Sequence, residues 1–183
     1  MRYFTIPFFI LAILQAFSSQ LLAKDSPTNP IISPEGKIFP LPNAAFQPDK
    51  SKSEYKIIFT LTQASDSPDK INPSLEHVAK IINLYASAGI PPSHLKIVAV
   101  ASGDATPLAL KSSYYKQKFG VENPNEALIS KLKAVGVQVI VCGQAWHEHH
   151  FDTQSLNPNV KMALSALITS VLFQEKGYAL IPM

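Results

Sequence analysis

Residues Leu95–Ala101 read LKIVAVA, and this short run decides the fold. It is nearly continuous in apolar side chains. A strand with one wet face alternates polar and apolar residues, whereas a continuous run is buried on both faces, as inside a parallel sheet. On either side stand runs of the same character, Tyr55–Leu61 (YKIIFTL) and Val137–Cys142 (VQVIVC). Between the first two, Asn72-Pro73 opens a helix, with Asn as the cap and Pro in the first turn. Leu75, Val78, Ala79, Ile82 and Tyr85 then repeat at helical spacing, and Gly89 ends the helix. A loop and a short helix follow over Ser102–Phe119. Asn123-Pro124 caps another helix, with Ala127, Leu128, Ile129, Leu132 and Val135 inward and Gly136 at its end. Val160–Ala163 is a short fourth strand, Ser165–Glu175 a helix stopped by Gly177, and Tyr178–Ile181 the last strand. Strand–helix–strand alternation predicts an α/β fold: a three-layer, open, mostly parallel five-stranded sheet with helices on both faces.

The segments before this unit read differently. Residues 1–23 have the form of a secretory signal: Arg2, an apolar run from Tyr3 to Phe17, polar Ser18 to Gln20, and the small residue Ala23 at the cleavage point. The apolar run is short for a bilayer span and carries Pro7, which argues against an uncleaved anchor. The expected location is secreted or periplasmic, with no membrane span after cleavage. Residues 24–54 hold Pro27, Pro30, Pro34, Pro40, Pro42 and Pro48 and read as an extended tail, leaving 55–183 as the folded domain. Ile31, Ile32, Ile38, Phe39 and Leu41 let part of that tail lie against a folded surface.

Composition removes several functions. The 183 residues carry 16 basic and 13 acidic side chains, a net charge of +3, which is too mild for a nucleic-acid surface. Arg2 is the only arginine, so the folded domain lacks the planar fork that grips phosphate in pairs of bonds. The 7 glycines form neither GxGxxG nor GxxxxGK[ST], which excludes nucleotide binding by those two loops.

In open parallel sheets the ligand crevice lies beyond the carboxyl ends of the strands. That rule selects Thr62–Asp66, Ser102–Thr106, and Cys142 with the residues after it. Cys142 is the only cysteine. Gly143 and Gln144 follow it, where backbone N–H groups can stabilise a thiolate. A buried, inert core cysteine is the competing reading. Trp146-His147-Glu148-His149-His150 places three histidines close behind the thiol. On a helix, His147 and His150 share a face. They read either as a solvated surface, as groups that assist the thiol, or as zinc or copper ligands together with Cys142. Ser102, Gly103 and Asp104 form a polar loop at the second strand end, where Asp104 reads as a substrate contact or as an ordinary turn cap.

The stretches KIVAVASGDATPLAL (96–110), YYKQKFGVENPNEALISKLKAVGVQVIVCGQ (114–144) and LNPNVKMALSALITSVLFQEKGYALIPM (156–183) resemble the DsrE/DsrF-like family of sulfur-relay proteins, in its signal-peptide-bearing branch. VCGQ at 141–144 and the final QEKGYALIPM carry the resemblance most specifically. It implies a parallel α/β domain assembled as a homo-oligomer, a trimer or hexamer. It also implies a cysteine that carries a persulfide, which by position is Cys142. Family members of this kind often carry a His before the Gly of the second-strand loop, and this chain has Ser102-Gly103 there.

The expected function is therefore sulfur carriage or sulfurtransferase-like transfer. Cys142 and His147 would be the catalytic pair, His147 moving a proton or stabilising the thiolate. Ser102, Gly103, Asp104, Gly143 and Gln144 would line the substrate crevice. Donor and acceptor would be a small sulfur compound or a partner protein, and no cofactor is called for. The alternative is a non-catalytic oligomer that holds a small ligand or metal in the Cys142/His crevice. The relay reading requires the sulfur to be open to its partners.

Overall fold

The computed structural model describes residues 26–183, so the export signal read at 1–23 lies outside the described residues. Strand β1 is Tyr55–Leu61 and helix α1 is Pro73–Ser87. They are followed by β2 (Leu95–Ala101), α2 (Ser112–Phe119), α3 (Glu126–Ala134) and β3 (Gln138–Cys142). The chain ends with α4 (Gly143–Glu148), β4 (Val160–Ala163), α5 (Ala166–Glu175) and β5 (Ala179–Pro182). The five strands form one open sheet in the order β4-β3-β2-β1-β5, and every pairing is parallel.

Successive strand residues point to opposite faces, and the two faces are covered unequally. On one, Phe59, Ile97 and Val139 pack with Leu75, Val78 and Ile82 of α1 and with Leu128, Ile129 and Leu132 of α3. On the other, Ile58, Val98, Val100, Ile140 and Cys142 pack with Ala145 and Ala166, and Phe173 and Tyr178 lie against them. That second face is covered mainly by the single helix α5. The outer side of α5 stays apolar and open: Leu167 is 80% exposed, with Val171 and Leu172 exposed beside it and Leu164, in the turn before the helix, 70% exposed.

Local chemistry accounts for the ends. The Asn72 side chain accepts the Leu75 N–H at 3.2 Å, the expected cap of α1. Helix α3 begins at Glu126, later than the Asn123-Pro124 cap predicted. Asn123 is instead buried, donating to Leu108 O at 3.0 Å and Leu110 O at 2.6 Å, and its Oδ1 takes the Asn125 N–H at 3.0 Å. It ties the loop after β2 to the start of α3.

The proline-rich segment is anchored on α1. Asn83, fully buried on that helix, accepts the N–H groups of Ile31 (3.0 Å) and Ile32 (2.9 Å) and donates to the carbonyls of Ile32 (2.9 Å) and Gly36 (2.9 Å). Ile32 and Ile38 are buried with it. Gly36 lies so close to the helix that a Cβ there would stand 2.7 Å from the Ala79 carbonyl carbon. Lys131 closes the contact with an ion pair to Glu35 at 2.8 Å. Among the described residues no helix is long and apolar enough to cross a membrane.

Candidate functional site

Strand β3 delivers Cys142 to the carboxyl end of the sheet, opposite Ala163 at the end of β4. Its backbone is still extended, and α4 starts at the next residue. The chain then runs through Ser165, whose hydroxyl accepts the Leu167 N–H at 3.2 Å and so caps α5. The first N–H of that helix, on Ala166, points at the sulfur: it donates to Cys142 Sγ at 3.3 Å. The first N–H groups of a helix have no partner within it and carry the positive end of the macrodipole. Around the sulfur the remaining surroundings are apolar, with Ile140, Ala145 and Ala166 packed beside it.

Two neighbours of the cysteine hold this arrangement together. A Cβ on Gly143 would stand 2.7 Å from the Ala163 carbonyl oxygen, so only glycine lets β3 and the turn after β4 approach this closely. Gln144 Nε2 donates to Leu164 O at 3.2 Å. Both residues thus fasten the Ala163–Ser165 turn that carries α5 over the sulfur.

The open thiol that the relay reading requires is not observed: Cys142 is only 6% exposed, as in the competing reading of a buried core cysteine. The reason is the docking of the α5 start across it. The hydrogen bond to Sγ comes from the Ala166 N–H. Ser102 follows Ala101, which pairs with Val141, and so lies at the level of the cysteine on the adjacent strand. Its N–H donates to Leu61 O at 2.9 Å. Asp104 is exposed in the turn after β2.

Gly103 has φ +53, the left-handed region that favours glycine, and its carbonyl accepts from Thr106 Oγ1 at 2.7 Å and from His149 Nε2 at 2.9 Å. The His149 ring also stacks on Phe151, with 5.3 Å between centroids. It is His149, rather than His147, that links the cysteine's helix to the β2 loop. His147 is exposed. The shared face predicted for His147 and His150 does not form, because α4 ends at Glu148 and His150 has φ 55, outside the helix. Among the described residues no three His, Cys, Asp or Glu side chains are grouped to hold a metal ion. The contacts missing from the sequence reading are the Ala166 N–H, the Ser165 cap and His149. Ser165 before an apolar run was the one visible sign of a helix start aimed at this end of the sheet.

A protein of unknown function from Methanobacterium thermoautotrophicum, MTH1491, is similar in structure with a TM-score of 0.53 and 18% identity, over 71% of this chain and 100% of that one. The ychN protein of E. coli is similar with a TM-score of 0.53 and 19% identity, over 70% of this chain and 99% of that one. At such identities the likeness shows the fold. No curated protein matches the chain. The model of the DsrE/DsrF-like family matches residues 55–183, the whole of the sheet and its helices. The chain belongs to the DsrE/DsrF-like family.

Proposed function

We propose that this protein takes part in sulfur relay, with Cys142 carrying sulfane sulfur as a persulfide. The observation that supports it most is the Ala166 N–H at 3.3 Å from Sγ, the first donor of a ten-residue helix aimed at the family's expected sulfur carrier. In the loading step the Cys142 thiolate attacks the sulfane sulfur of thiosulfate. A Cys S–S bond forms, the sulfur–sulfur bond of the donor breaks, and sulfite leaves with the electron pair. In the unloading step an acceptor thiolate attacks the outer sulfur, and the Cys142 thiolate is the leaving group. No net redox change occurs, so one cysteine suffices. Ala166 N–H donates to Sγ while it is the attacking thiolate in loading and the leaving thiolate in unloading. Exposed His147 takes the proton of an incoming thiol, and Ser102, Gly103 and Asp104 with Gly143 and Gln144 frame the entry. Entry requires the Leu164–Ser165 turn to lift, since the sulfur is covered in this conformation.

In this reading the protein is exported, its leader is cleaved after residue 23, and it works as a homo-oligomer, a trimer or hexamer. The open apolar side of α5, with Leu167 and Val171, is the face a second copy would cover. Leu167→Glu should then reduce the assembly in analytical ultracentrifugation. Intact-mass analysis after incubation with thiosulfate or polysulfide tests the relay: a gain of one sulfur atom, lost in Cys142→Ala, is expected. The low exposure of Cys142 favours a second reading, a non-catalytic oligomer whose thiol is structural or whose crevice only binds a small ligand. It gains if native Cys142 resists both alkylation and sulfur loading.

A further inference from the structure

At the carboxyl end of α1, beside the start of β1, the proline-rich segment borders an open cavity of about 570 Å³. That is within the roughly 300–1,000 Å³ usual for small-molecule sites. The cavity is remote from Cys142 and is not needed for sulfur relay. Its floor is the ring pair Tyr55 and Tyr85, whose centroids stand 4.8 Å apart. Its walls include Phe39, Leu41 and Leu84, all exposed to solvent, and Phe46 stands at the rim 98% exposed. Apolar surface held open in this way is costly in water, and Asn83 anchors the part of the segment that precedes it to α1.

Among the described residues only one charged side chain lines the cavity, Lys50. Its stem lies beside Gly89, and it makes none of the ion pairs formed among the described residues. A lining with one cation and no carboxylate complements a single negative charge on an apolar body. A second copy fits less well: a two-fold contact through this face would bring two Lys50 ammonium groups together. We propose that this cavity binds a free medium-chain carboxylate, its alkyl chain against Leu84 and the two tyrosines and its carboxylate at Lys50.

Calorimetric titration of the full chain with decanoate, below its micelle concentration, tests this. The proposal expects saturable binding at one site per chain. Lys50→Glu, which turns attraction into repulsion, should weaken decanoate by about fivefold or more and leave decanol unchanged. Leu84→Arg should abolish binding of both, while circular dichroism stays that of the wild type. Asn83→Ala, which frees the segment, should weaken both. Absence of saturable heat overturns the proposal, as does equal decanoate affinity in the wild type and Lys50→Glu. Self-association lost in Leu84→Arg, or binding to phosphatidylcholine vesicles without binding of free decanoate, would assign the face to a second copy or to a membrane and overturn it as well.

Discussion

The closeness of Gly143 to the β4 turn yields the sharpest structural prediction. In Gly143→Ala the new methyl would meet the Ala163 carbonyl oxygen at 2.7 Å. An ordinary carbon–oxygen contact is about 3.3–3.6 Å, so one partner must retreat by more than roughly half an ångström. The obstacle is backbone, not the end of a flexible side chain, and the retreat must open the last β3–β4 pair, Cys142 with Ala163. Forced insertion of a methyl into a packed site costs about 1–3 kcal/mol. The displaced segment also holds the Gln144 contact to Leu164 at 3.2 Å and the Ala166 N–H at 3.3 Å from the sulfur. Urea denaturation should therefore show a loss of about 2 kcal/mol. Alkylation of native Cys142 by iodoacetamide should quicken at the same time, because the α5 start no longer lies across the thiol. Stability within about 0.5 kcal/mol of wild type together with an unchanged labelling rate would refute the reasoning.

Two further outcomes follow from other parts of the fold. Asn83→Ala removes the partner of two N–H and three carbonyl groups, each contact contributing about 0.5–1.5 kcal/mol, and the segment should undock. Limited proteolysis should then cut within residues 26–48, and an unchanged digestion pattern would contradict the clamp. Tyr115, whose hydroxyl donates to Pro68 O at 2.9 Å, is held above the ordinary tyrosine range, first by burial and then by the charge of Asp69. Because the folded chain keeps this proton longer than the unfolded chain, the contribution is complete below pH of about 10 and declines as pH rises toward the folded value. The stability of Tyr115→Phe should accordingly fall less between pH 9 and 11, on the order of those limits, than that of the wild type, and parallel curves would remove Tyr115 from the account.

The sheet was legible because its strands are buried on both faces and written in unbroken apolar runs: LKIVAVA admits few other readings. The helices were legible where the caps are local, as at Asn72. Asn123 looked like a second cap of the same kind, but its amide serves a distant loop, and nothing in a dipeptide separates the two uses. Asn83 was invisible for a related reason: a polar residue among helix positions reads as solvated until a segment some fifty residues earlier arrives to pair with it. At the site, the position of Cys142 at a strand end followed from the βα alternation. Its burial did not, because the cover comes from α5, joined through β4 and a turn whose path rests on Gly143. The histidines misled through their spacing. A shared face for His147 and His150 presupposes a helix one residue pair longer than the six residues α4 has, and the ring that makes a contact is His149.

The most direct measurement is tandem mass spectrometry of the native chain after exposure to polysulfide, with the added sulfur mapped by peptide. One extra sulfur is expected, located on the peptide that contains Cys142 and released by an added thiol. A thiol that stays unmodified in the folded protein, and takes up sulfur only after denaturation, would contradict it.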